Sequence, residues 1–171
     1  MFRALFARLT GEPKRGQGLF ELALAEAGRT DWFIAGEVPD TVNGRFAILG
    51  TIIALIAVRL EKDGEQGARA SVALTERLVE TLDTEIREMG VGDPTLGKQV
   101  RKLVGSVGGR VERWREQVKE AGSWTGEVER SLYLGEPPSA DAVAYGESAL
   151  RAFWKQLGDL EVDQLAKGRA G

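Results

Sequence analysis

Phe46-Ala47-Ile48-Leu49-Gly50-Thr51-Ile52-Ile53-Ala54-Leu55-Ile56-Ala57-Val58 runs without a charge between Arg45 and Arg59. A membrane span needs roughly 17–25 apolar residues, so a run of this length between two arginines reads as a buried helix. Ala47, Gly50, Thr51, Ala54 and Ala57 place small side chains along one stripe, where a second helix can come close. Ile48, Ile52, Ile53, Leu55 and Ile56 fill the other sides, and a helix apolar all round belongs at the centre of a bundle.

Around this centre the chain alternates helical periodicity with punctuation. Upstream, Leu19 to Ala27 is helical in composition and stops at Gly28. Glu37-Val38-Pro39-Asp40-Thr41 breaks the chain, and Asp40 or Thr41 is placed to cap the apolar helix. Downstream, Asp63-Gly64 makes a turn. Val72, Leu78, Val79, Leu82, Ile86 and Met89 then form a helical stripe over 68–89, which Gly90 ends. Asp93-Pro94 signals a new start, with Asp93 as the cap and Pro94 at the first helical position. Leu96, Val100, Leu103, Val107, Val111, Trp114 and Val118 carry that helix towards Gly122. Gly135 to Ser139 is a linker before a last helix over 142–157, and 127–134 reads equally as a short helix or an edge strand. The expected fold is all-α, one helical-bundle domain built around a buried central helix. Its parts are an amphipathic segment (1–15), a main helical domain (16–122) and a helical extension (123–171).

Composition narrows the chemistry. The chain has 171 residues, 43% of them hydrophobic, enough for one core. With 23 Lys and Arg against 26 Asp and Glu there is no basic excess for nucleic acid. Neither Cys nor His occurs, which excludes thiolate metal sites, disulfides, thiol nucleophiles and His-based triads. No cofactor or metal is expected. An enzyme would have to rest on carboxylates such as Asp83, Glu88 and Asp93, and such clusters are usually structural. Gly92-Asp93-Pro94-Thr95-Leu96-Gly97-Lys98-Gln99 imitates a phosphate-binding loop, but it lacks the terminal Ser or Thr and follows a helix, so it reads as a helical corner. Gly105, Gly108 and Gly109 inside a helix cost up to about 1 kcal/mol each relative to Ala. Close helix packing or a helix break would account for them.

Charge is segregated at that corner. Glu80, Asp83, Glu85 and Glu88 precede it, and Lys98, Arg101, Lys102 and Arg110 follow it. Asp83 and Arg87 are spaced to pair along one helix, and the remaining charges are expected to pair between the two helices. At the start of the chain, Phe2, Leu5, Phe6 and Leu9 form a short apolar stripe beside Arg3 and Arg8, suited to packing on the core or to a membrane surface.

Leu19-Phe20, Trp32-Phe33, Val38-Pro39-Asp40-Thr41, Gly44-Arg45-Phe46, Arg59-Leu60, Asp83, Arg87-Glu88-Met89-Gly90-Val91-Gly92-Asp93, Gly97-Lys98, Lys102 and Gly109-Arg110 occur in that order. Over roughly 18–115 this set resembles the ubiquinol–cytochrome c chaperone family, assembly factors of the cytochrome bc1 complex. The chain departs from the family pattern where Leu49-Gly50-Thr51 stands in place of Leu-His, and where Gly108 precedes Gly109-Arg110 in place of an aromatic. The resemblance implies a non-catalytic helical chaperone whose client is cytochrome b or another bc1 subunit. It also implies work in the cytoplasm at the inner membrane, or on the matrix side in a eukaryote. Arg45, Arg87, Glu88, Asp93, Lys98 and Arg110 are the expected partner-binding residues, with Lys98 and Arg110 exposed enough for both charges to be reversed without unfolding. The competing reading is a peripheral membrane or lipid-binding helical protein that uses Phe2, Leu5, Phe6 and Leu9.

Overall fold

The computed structural model describes residues 15–90 and 92–166. In chain order they form α1 (Gln17–Ala27), α2 (Asp31–Ile34), α3 (Val42–Leu60), a 3-10 turn (Glu61–Asp63), α4 (Gly64–Glu88), α5 (Asp93–Gln117), α6 (Thr125–Tyr133), α7 (Ala140–Gly158) and α8 (Val162–Ala166). No strand occurs among the described residues, so the segment around 127–134 resolves as helix. The N-terminal stripe of Phe2, Leu5, Phe6 and Leu9 lies outside the described residues.

The apolar run becomes α3, which packs against α1, α4, α5, α6 and α7. Ile48, Ile52, Ala54, Leu55, Ile56 and Leu60 have no measurable exposure. Fully burying each of the larger side chains stabilises the fold by about 1.5–3 kcal/mol. By length and composition one helical stretch among the described residues, the one containing α3, could cross a membrane, yet 72% of its apolar window is buried by the protein itself. The small-residue stripe is less tight than its sequence suggests. A Cβ on Gly50 would sit 3.6 Å from Val107 Cγ2 and 3.7 Å from Arg110 Cδ, which is ordinary contact.

The two ends of α3 are fixed by short-range chemistry. Of the two candidate caps Thr41 acts, its Oγ1 accepting from the Gly44 N–H at 3.1 Å, while Asp40 pairs with Arg45 at 2.6 Å. Only glycine fits at position 44, since a Cβ there would lie 1.9 Å from the Pro39 carbonyl oxygen. At the other end Arg59 is 7% exposed. It donates to the carbonyls of Leu157 (2.9 Å) and Leu160 (2.6 Å) and pairs with Asp63 at 2.6 Å. The residues that terminate the uncharged run therefore pin it, one at the surface and one inside.

Helices α4 and α5 are each 25 residues long, about 37 Å. They form an antiparallel hairpin whose far end carries its own small cluster of Ile86, Leu96 and Val100. Three expectations change here. Val72 and Met89 fit the helical period but are 60% and 64% exposed, because α4 turns that edge away from the body. Asp93 is the first helical residue and Gly92 occupies the capping position, so the cap falls one residue earlier. Helix α5 runs unbroken through Gly105, Gly108 and Gly109. Gly105 and Gly108 are exposed, and a Cβ on either would meet nothing within 4 Å; Gly109 is half-buried, and a Cβ there would lie 3.3 Å from Arg113 Nη1. Neither packing within this chain nor a break explains them.

Helices α6, α7 and α8 complete the same core. Trp124, Val128, Leu132, Leu150, Phe153, Leu157 and Leu165 join the cluster around α3. Trp114 and Trp124 meet edge to face at 5.2 Å between ring centres. Ser139 caps α7 by accepting from the Ala142 N–H.

Candidate functional site

The structure disperses the expected partner-binding residues. Arg45 stands on the first turn of α3, held by Asp40 and lying over the Phe33 ring at 5.3 Å. Arg87 and Glu88 end α4, exposed, with Arg87 paired to Asp83 at 3.4 Å. Asp93 starts α5, and Lys98 is exposed one turn on. Lys98, Arg101 and Lys102 make no salt bridge among the described residues, so the expected cross-pairing between α4 and α5 does not involve them.

Arg110 is not a surface residue. It is 4% exposed and lies between α5, α3 and α6. It donates to the Ser131 carbonyl at 3.0 Å and to the Ser106 carbonyl and hydroxyl. Its Nε has no partner. Burial first, and the neighbouring Arg113 second, push its pKa below the ordinary guanidinium value. Glu127, the nearest acid in the network, is engaged by Arg113 at 2.9 Å and by the Ser131 hydroxyl at 2.7 Å. Ser131 in turn accepts from Trp114 Nε1 at 3.0 Å. The Gly-Arg pair of the resemblance thus ties α6 to α5, and reversing its charge would break the fold.

Among the described residues no three of His, Cys, Asp or Glu stand together as a possible metal site. What the surface offers instead is a groove. Two adjoining hollows of about 540 and 410 Å³ share Ala57, Glu61, Ser71 and Thr75, and together run between α4 and α5 over α3. The α4 wall adds Ala68 and Val72, and the α5 wall Val104, Gly108 and Val111. Small side chains keep it open, and exposed Val72 makes its lip apolar. Arg115 and Glu61 bridge one end at 2.7 Å. A long, shallow channel with small side chains is suited to a chain segment. The sequence held no signal of it, since Val72 fits the helical packing stripe as well as a covered residue does.

The ubiquinol–cytochrome C chaperone family model matches residues 35–170. The chain belongs to this family. The match runs from before α3 to the end of α8 and takes in the blocks from Val38 onward, while Leu19-Phe20 and Trp32-Phe33 lie ahead of it. The ubiquinol–cytochrome C chaperone fold has a solved counterpart in a protein described as the Cbp3 homolog from Brucella abortus. That chain is 22% identical, with a TM-score of 0.74 over 98% of this chain and 94% of its own. At that identity the likeness shows a shared all-helical fold. No curated protein matches the chain.

Proposed function

We propose that the chain is a non-catalytic assembly chaperone for the cytochrome bc1 complex and that its client is cytochrome b. An apolar helix of the client lies in the groove between α4 and α5. The observation that carries this reading is the groove itself, open and floored by small residues in a protein of a chaperone family. A helix lays its apolar face into such a channel, and recognition rests on area and shape more than on charge. The site of action is the cytoplasmic face of the inner membrane, or the matrix face in a eukaryote. Arg87, Glu88, Asp93 and Lys98, on the hairpin beyond the groove, act at the rim, where charge sets the rate of encounter.

Val72 and Thr75 are both exposed, so Val72→Glu with Thr75→Arg tests the groove without attacking the core. The protein should stay folded and normally abundant, while membranes lose spectroscopic haem b and ubiquinol–cytochrome c activity. A photo-crosslinker at position 72 should capture cytochrome b. Full bc1 content in the double variant, or a crosslinker that never captures a bc1 subunit, overturns the reading.

A further inference from the structure

Gly105, Gly108 and Gly109 leave a bare patch in the middle of the outer face of α5. Apart from proline, glycine is the poorest helix former; nothing in this chain fills the space a side chain would take at Gly105 or Gly108, and only the far end of the Arg113 side chain approaches Gly109. The same face is charged at both ends, with opposite signs. Lys98, Arg101 and Lys102 lie on the N-terminal side of the glycines, exposed and without salt bridges among the described residues. Glu112 and Glu116 lie on the C-terminal side, also exposed. Lys98, Gly105, Gly109, Glu112 and Glu116 follow one another at steps of seven, four, three and four residues, which keeps them on one stripe of the helix.

We propose that this face is a homodimer interface, in which α5 of a second copy lies antiparallel across the glycines on a two-fold axis. With the axis passing between Gly105 and Gly109, each Gly105 faces the other copy's Gly109. Lys98 of one chain then faces Glu116 of the other, and Lys102 faces Glu112, on both sides of the axis. A two-fold interface must be complementary to itself, and a face that is basic, bare and acidic in succession has that property when reversed upon itself. The glycines let the two helices approach at the low end of the usual range, about 8 Å between axes. Arg113 is the residue that would oppose Arg101, and its charge is already engaged by Glu127 at 2.9 Å. Glu116 now pairs with Lys119 at 3.0 Å, both well exposed, an exchangeable surface contact.

The pattern favours a second copy over other occupants. An anionic membrane or an acidic protein would use the cations, but Glu112 and Glu116 on the same stripe would repel it. Gly108 and Glu112 also line the groove between α4 and α5, so the proposed interface and the groove share one edge of α5.

Sedimentation velocity of the full chain over a concentration series, at low and high salt, tests the proposal. A monomer–dimer equilibrium that weakens with salt is expected. Lys98→Glu and Glu116→Lys should each weaken the dimer about tenfold, because each change is felt twice across the axis. Combining both changes in one chain should restore the dimer, and so should mixing the two single variants. Gly105→Leu should abolish dimerisation, while Gly105→Ala should raise the melting temperature of the monomer. A chain that stays monomeric at every concentration overturns the proposal, whatever else it binds. A dimer indifferent to Gly105→Leu and to the charge reversals also overturns it, since its interface must then lie elsewhere.

Discussion

In the body of the molecule, polar side chains reach from one helix to another. Arg59 holds the end of α7, Arg110 holds α6, and Tyr133 donates to the Gly36 carbonyl at 2.6 Å. Glu147 on α7 gathers the start of α6, accepting from Ser123, the Trp124 N–H and Thr125. At the far end of the α4–α5 hairpin, Ile86, Leu96 and Val100 are the buried members of a small cluster edged by the half-buried Val79, Leu82, Leu103 and Val104, and Asp83 and Arg87 pair along their own helix in solvent. One region is locked by groups with no alternative partners; the other is held by a few apolar contacts and is cheap to open. The second family block begins at this end of the hairpin, where Arg87 and Glu88 close α4.

The largest expected effect breaks the body. Arg110→Glu puts a carboxylate into a buried site near Glu127 and strands the Ser131 carbonyl. It should cost about 4 kcal/mol or more, seen as loss of the cooperative melt. Leu96→Ala at the hairpin end should cost about 2 kcal/mol, low for a buried leucine because this edge can collapse. Amide exchange should quicken around 86–100 and not in α3, and a uniform increase would show that the hairpin is not a separate unit.

Next is Glu147→Gln, which sharpens the contrast through pH. Burial raises the Glu147 pKa, but hydrogen bonds from the Trp124 N–H, Arg151, Thr125 and Ser123 outweigh it and hold it below the ordinary carboxylate value. Its contribution is therefore complete above that value and is lost as pH falls through the depressed one. The substitution should cost about 1.5 kcal/mol at neutral pH and almost nothing in acid, in paired urea titrations. An equal cost at both pH values would remove the charged capping role. Smallest is Thr41→Ala, about 1 kcal/mol for a lost cap, against no measurable change for Asp40→Ala, whose pair with Arg45 is exposed.

The helical body was legible because periodicity and punctuation agree there. Ile48 to Leu60 could only be central, and Gly44 and Thr41 sit where a helix start needs them. The hairpin was legible as two helices but not in its facing. Val72 satisfies the helical period as well as Leu78 does, and period alone does not say which edge a neighbour covers. Arg110 shows the opposite failure. An arginine beside a glycine in a charged stretch reads as exposed until the carbonyl of Ser131, twenty-one residues on, is seen to accept from it. The groove could not be read at all, because its floor joins Ala57 to Ser71 across a turn and its second wall belongs to α5.

Arg59 has a consequence for how the chain is made. Its acceptors on Leu157 and Leu160 lie 98 and 101 residues further along. On a ribosome adding about 5–20 residues per second, the most apolar helix waits on the order of 5–20 s for the segment that covers and fastens it. During that interval the nascent chain displays a sticky helix of its own. A member of a chaperone family thus passes through a stage of needing shelter itself.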